Sequence, residues 1–293
     1  MTKYLLRLSR AAALGLLIIL LSGFSTPNFF QVMKFDEYSR NDLASFPVQA
    51  KFSIPVTSLS GESTSRIETI DLPESFSAQS LNQLKVYLPP GYDSHLMRRY
   101  PVLYLLHGQG DNDNQWVQLG VKTDADRLID SQEILPLIIV MPNETDSASP
   151  EQSGFGETLA TALVPWVDAH YRTLPNRYER AIGGLSRGAA WAVRLGLIHW
   201  QIFGAIGAHS FPMFYGDGLL IPKWLKAIPT NSYPQIYLDI GSSDPGLGIV
   251  TTFENFLTSQ GIPHEYHLNV GYHEDKYWGA HLEDYLRWYD STW

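Results

Sequence analysis

An α/β fold with a mostly parallel central sheet covered by helices on both faces is predicted by three features of the sequence. First, five short apolar runs, Pro101–Leu106, Leu137–Met141, Ala181–Gly184, Phe203–Ala208 and Gln235–Ile240, have no polar alternation, as strands buried on both faces require. Second, helix-compatible segments lie between and after them: Thr123–Ser131, Gly156–Tyr171, Gly188–His199, Thr251–Gln260 and Gly279–Tyr289. Strand and helix in strict alternation build crossover units and hence a parallel sheet. Third, the 293-residue chain is 44% hydrophobic and 13% aromatic, enough to bury a large core.

Taken in order, the elements divide the chain into three stretches. Residues 1–25 carry Lys3, Arg7 and Arg10 ahead of the uncharged apolar run 11–24, and small residues follow at Gly23 and Ser25. That is the pattern of a secretory signal peptide, with an uncleaved N-terminal anchor holding the chain to a membrane through residues 11–24 as the alternative. The protein is accordingly expected outside the cytoplasm, secreted or periplasmic. Residues 26–62 are polar and Ser/Pro-rich without a sustained period, and are read as a linker and N-terminal extension. The folded domain is assigned to 63–293. It opens with two strands, Arg66–Leu72 and Leu84–Leu88, the second stopped by Pro89-Pro90-Gly91, and a late strand is expected at Glu265–Val270.

Charge and composition narrow the function. With 21 basic and 30 acidic residues the net charge is −9; without residues 1–25 it would be −12. The basic residues are scattered, which excludes nucleic acid as a partner, because phosphate binding needs clustered Lys and Arg. The chain has no cysteine, so a nucleophile must be a hydroxyl.

Gly184-Leu185-Ser186-Arg187-Gly188 follows a short apolar strand and precedes an Ala-rich helical stretch. A G-x-S-x-G in that setting suits a tight turn that holds the Ser in a strained conformation with its hydroxyl exposed. Such a hydroxyl needs a His to take its proton and a carboxylate to orient that His. Among the later histidines, His199, His209, His264, His267, His273 and His281, the choice is His273, which comes just past Gly271 at the end of the last strand. His281, inside the last helix, is the alternative. Among Asp217, Asp239, Asp244, Glu254 and Glu265, Asp244 is preferred because the turn Gly241-Ser242-Ser243 carries it to the same sheet edge. Asp239 lies within a strand and would need a buried partner, so a structural role is expected. Donors for a developing oxyanion are expected from the backbone N–H of Arg187 and from that of Gln109 in Leu105-Leu106-His107-Gly108-Gln109-Gly110, with Gly108 as the alternative. No cofactor and no metal is called for.

These segments carry a resemblance. Tyr87-Leu88-Pro89-Pro90-Gly91-Tyr92, Pro101 to Gly108, Gly183 to Gly188 and Gly271-Tyr272-His273 with Trp278 resemble the esterase D family of α/β hydrolases, over roughly residues 66–288. The resemblance implies an α/β-hydrolase fold and a serine esterase acting on small-molecule, carbohydrate or lipid esters through Ser186, Asp244 and His273. The run from His273 to Leu282 is also similar to the mycolyltransferases of that family. An acyltransferase, passing the acyl group to a sugar or lipid alcohol, is therefore the alternative activity, and a non-catalytic cell-surface protein a third. Two departures stand out: Gly188-Ala189 replaces the family's Gly-Gly, and Tyr272 before the His is expected to narrow the pocket. Trp116 is the one tryptophan singled out as a ligand platform, the others being expected in the core. The run Asp111 to Asn114 is expected to be a solvated loop, since it lacks calcium-loop spacing.

Overall fold

The computed structural model describes residues 64–77 and 80–293. The signal-peptide, anchor and linker expectations for residues 1–62 lie outside the described residues. Eight strands form one sheet: β1 (Arg66–Asp71), β2 (Leu81–Leu88), β3 (Val102–Leu106), β4 (Ile138–Glu144), β5 (Arg180–Leu185), β6 (Ala205–His209), β7 (Gln235–Gly241) and β8 (Glu265–Asn269). Their spatial order is β1-β2-β4-β3-β5-β6-β7-β8. β1, β2 and β4 pair antiparallel, and β4, β3 and β5 through β8 run parallel.

Alternate side chains of the parallel strands feed two separate cores, as the two-residue strand period demands. Val102, Tyr104, Leu106, Ile182, Ile206 and Leu238 pack with the helices α2 (Val164–His170), α3 (Arg187–Ile198), α4 (Asp217–Ala227) and α5 (Leu247–Ser259). Leu103, Leu105, Ile139, Ala181 and Tyr237 point the other way, onto α1 (Val121–Asp130) and α6 (Asp275–Ser291). On this second face Gly183 of β5 and Gly207 of β6 leave a slot for Tyr289 of α6; a Cβ at either glycine would overlap the Tyr289 ring or hydroxyl.

From β3 the chain moves to β4 on one side, and then to β5 on the other. The connections therefore diverge at the carboxyl ends of β3 and β5, which leaves the crevice in which open parallel sheets bind ligands. Leu106 and Gly184 are in register across this pair, so both strands end side by side there.

Several elements differ from expectation. The segment 156–171 is broken: a helical turn at Phe155–Thr158, a π-helical stretch at Leu159–Leu163 and then α2, with Pro165 in its first turn. Helix α4 was not legible in the sequence because Pro222 lies inside it, where a prolyl ring removes a hydrogen-bond donor. Helix α6 starts at Asp275 rather than Gly279 and α5 at Leu247 rather than Thr251. β4 continues through Pro142 to Glu144, past the expected end at Met141; β3 pairs with it only as far as Val140, so the missing proline N–H breaks no bond on that side.

The slot beneath Tyr289 yields a paired expectation. Gly207→Ala should lower Tm by roughly 3–10 °C, since overpacking costs about 1–3 kcal/mol. Gly248→Ala in α5, where a Cβ would meet nothing within 4 Å, should leave Tm unchanged or slightly raised. Calorimetric melting of the two variants distinguishes them.

Candidate active site

Ser186 joins β5 to α3 with φ 51° and ψ −123°, a conformation that a non-glycine residue adopts only when its surroundings impose it. The imposing contacts are backbone ones. A Cβ on Gly184 would lie 2.5 Å from the Gly188 carbonyl carbon and 2.8 Å from the Leu106 carbonyl oxygen, and one on Gly188 would overlap the Leu106 carbonyl. Only glycine fits at both positions. The Ser186 N–H is tied to the His209 carbonyl at 2.9 Å, and the Ser186 carbonyl accepts from Ala190 in the first turn of α3.

A second close crossing sets the loops after β7 and β8. A Cβ on Gly241 would lie 2.5 Å from the Gly271 carbonyl oxygen, and Ser243 donates its N–H to that same carbonyl at 2.9 Å. The crossing brings Asp244 and His273 together. His273 Nδ1 lies 2.8 Å from Asp244 Oδ2, and His273 Nε2 lies 2.9 Å from Ser186 Oγ. A carboxylate can only accept, so Nδ1 carries the proton and Nε2 is left to accept from the Ser hydroxyl. The Asp244 side chain is 1% exposed and its other oxygen accepts the Gly246 N–H at 2.7 Å, whereas the His273 ring is 34% exposed. Trp278 stands edge-on to that ring at 5.0 Å, with its indole N–H on Ser210 Oγ. The structure thus brings Ser186, His273 and Asp244 into one continuous relay.

The loop after β3 lies alongside. Gly108 donates its N–H to Gln115 Oε1 at 2.8 Å, which removes it as a free donor and leaves Gln109. Among the described residues, the N–H groups of Gln109 and Arg187 meet no protein acceptor. The His107 ring is fixed at both nitrogens: Nε2 accepts the Glu144 N–H at 2.9 Å, so Nδ1 must be the protonated one and donates to the Gly108 carbonyl at 2.8 Å. The Arg187 guanidinium makes a bidentate pair with Glu144, 2.9 Å from Nε and 2.6 Å from Nη2, and Trp191 Nε1 donates to the same carboxylate at 2.9 Å. A cavity of about 160 Å³ opens here, lined by Gln109, Asp111, Glu144, Asp146 and Arg187.

Residues 75–289 match the family model described as "Putative esterase". The chain belongs to this esterase family. An esterase of Mycobacterium tuberculosis is 34% identical over an alignment covering 65% of this chain and 52% of that protein. An endo-1,4-beta-xylanase/feruloyl esterase of Xylanibacter ruminicola is 29% identical, with 65% of this chain and 28% of that protein covered. The chain therefore spans about half or less of the length of these two curated relatives. Among solved structures, a ferulic acid esterase superposes with a TM-score of 0.68 at 25% identity, covering 78% of this chain and all of the other. The fold is that of the α/β hydrolases.

Within this esterase-family domain the remaining candidates fall elsewhere. His281 faces Tyr277 and Asp284, and with His267, Glu265 and Trp288 it lines a separate groove of about 430 Å³ between β8 and α6. His264 pairs with Glu254, and Asp217 with Arg194. Trp116, expected as a ligand platform, is instead in the core, 1% exposed with its indole N–H on the Leu106 carbonyl. It braces the end of β3 from behind. The Asp111–Asn114 loop is not wholly solvated either: Asp113 turns inward, 3.9 Å from Lys85, and burial raises its carboxyl pKa. Tyr272 is 61% exposed, so it stands open at the rim of the site.

Asp239 and His209 form a second, fully buried carboxylate–imidazole pair at 2.7 Å. Asp239 Oδ2 also accepts the hydroxyls of Tyr277 at 2.7 Å and Tyr285 at 2.8 Å, and His209 Nε2 meets the Tyr289 hydroxyl at 3.1 Å. Burial, and then the Asp239 charge, push all three tyrosine pKa values far up, so these hydroxyls remain donors. A buried charge with this many donors is stable where a lone one would not be. Among the described residues both His209 ring nitrogens are taken, by Asp239 and Tyr289, and no serine hydroxyl bonds them, so this pair locks α6 to β6 and β7.

Proposed function

We propose that the protein is an exported serine esterase that hydrolyses carboxylic esters through an acyl-enzyme formed on Ser186. The observation that carries the reading is the unbroken relay Asp244–His273–Ser186, at 2.8 and 2.9 Å, ending on a hydroxyl held at a strained turn. Family membership supports the same reaction class.

In the proposed cycle Ser186 Oγ attacks the ester carbonyl while His273 Nε2 takes its proton. Asp244 keeps the proton on Nδ1 and stabilises the imidazolium. Charge develops on the carbonyl oxygen and is met by the N–H groups of Gln109 and Arg187; a single such donor is worth roughly 10²–10³ in rate. His273 then protonates the departing alkoxide. Water, deprotonated by the same imidazole, releases the acid and restores Ser186. A relative named as a xylanase/feruloyl esterase and a solved structure named as a ferulic acid esterase support feruloyl esters as the first substrates to try. Export is supported by the basic residues Lys3, Arg7 and Arg10 ahead of the apolar run 11–24. Among the described residues no helix is long and apolar enough to cross a membrane.

Ser186→Ala should lower kcat on p-nitrophenyl acetate at least about 10³-fold, and Asp244→Asn by roughly 10⁴-fold through the wrong imidazole tautomer, both with Tm close to the parent. Near-parental turnover by the folded Ser186→Ala variant would sink the assignment. N-terminal sequencing of protein recovered outside the cytoplasm should find a start near residue 26, and an intact Met1 there would contradict cleavage.

A further inference from the structure

We propose that Glu144 is a positioning residue for the oxyanion site, a role that rests on the serine-esterase reading above. Glu144 ends β4, and two arms run from it to the two candidate donors. Its main-chain N–H binds His107 Nε2, and His107 Nδ1–H in turn holds the Gly108 carbonyl. That carbonyl and the Gln109 N–H are opposite ends of one planar peptide unit. Fixing the oxygen on His107 therefore fixes the direction in which the Gln109 N–H points, and prevents a flip that would turn the carbonyl into the space meant for the oxyanion. The second arm is the carboxylate. It holds Nε and Nη2 of Arg187, whose own main-chain N–H is the other donor, and accepts from Trp191 one turn further along α3.

The arrangement is buried and satisfied. The Glu144 and Arg187 side chains are 3% and 9% exposed, and the guanidinium also reaches the Ala148 carbonyl at 2.7 Å. A buried pair of this kind adds little stability over an apolar pair, yet losing one partner strands a charge. The stranded charge here would be Arg187, the residue next to Ser186, so a fault at Glu144 is transmitted to the turn that carries the nucleophile. Both residues also line the 160 Å³ cavity together with Gln109, which places the pair beside the loop that carries the other candidate donor.

The test compares Glu144→Gln, Glu144→Asp and His107→Ala, alone and with His107→Ala combined with Glu144→Gln. Turnover is measured on p-nitrophenyl acetate, and inhibition by a trifluoromethyl ketone that forms a tetrahedral adduct. Glu144→Gln should lose about 10- to 100-fold in kcat with KM within about twofold, and should lose ketone affinity by the same factor, as expected when an oxyanion donor is misaimed rather than removed. Glu144→Asp should recover part of the loss. The double variant should lose less than the product of the single losses, because both act on one device. Folded Glu144→Gln with kcat within about twofold of the parent, or a kcat loss with unchanged ketone affinity, would overturn the proposal. Should Glu144→Gln not fold, the His107→Ala variant decides by the same two readouts. Failure of the esterase reading itself is seen separately, as persisting turnover in Ser186→Ala.

Discussion

The backbone crossing of the Ser186 turn over the end of β3 is the contact on which the remaining geometry rests. Gly184 and Gly188 bring the turn against the Leu106 carbonyl so closely that neither position admits a Cβ, and the chain can pass there only by lifting Ser186 to a positive φ. The same crossing sets the first N–H of α3 beside the loop 107–110. Nucleophile and candidate oxyanion donors are therefore placed by one packing event between two parallel strands, at the point where the sheet's connections diverge. The strain of the turn, of order 1–3 kcal/mol for such a residue, is carried by the interior of the sheet.

The acid and base are held by an analogous device two strands away, where Gly241 meets Gly271. Behind both lies the Asp239 network. It ties β6 and β7 to α6 through three tyrosine hydroxyls and His209, and α6 carries Trp278 against the His273 ring. Two carboxylate–imidazole pairs thus stand on neighbouring strands with different surroundings. His273 is partly exposed and ends on a serine; His209 is enclosed and ends on a tyrosine whose hydroxyl is held protonated. Environment, rather than the residue types, separates the candidate reactive pair from the structural one.

Much of this was legible in the sequence for a physical reason. Strands buried on both faces leave uninterrupted apolar runs, and sharp turns at their ends demand glycine, so the sheet, Ser186, His273 and Asp244 could all be found at predicted edges. Glu144 could not, because Pro142 mimics a strand end and nothing local reveals that β4 outlasts its pairing with β3. Trp116 was misplaced because its polar neighbours in sequence point outward while its ring turns inward beneath Leu106. The buried tyrosine partners of Asp239 were likewise hidden, since Tyr277 and Tyr285 come to it at helical spacing from 38 and 46 positions away, a distance that only the folded sheet closes.

The proposal stands or falls on a covalent intermediate at one hydroxyl. Acid quench of the protein within the first turnovers of a p-nitrophenyl ester, followed by peptide mass spectrometry, measures it directly. The peptide that contains Ser186 should carry the mass of the acyl group, at a stoichiometry matching the burst of nitrophenolate, and should lack it when His273 is replaced by alanine. Steady turnover of the ester with no acylated Ser186 peptide, or with the acyl group on another residue, would contradict the proposal.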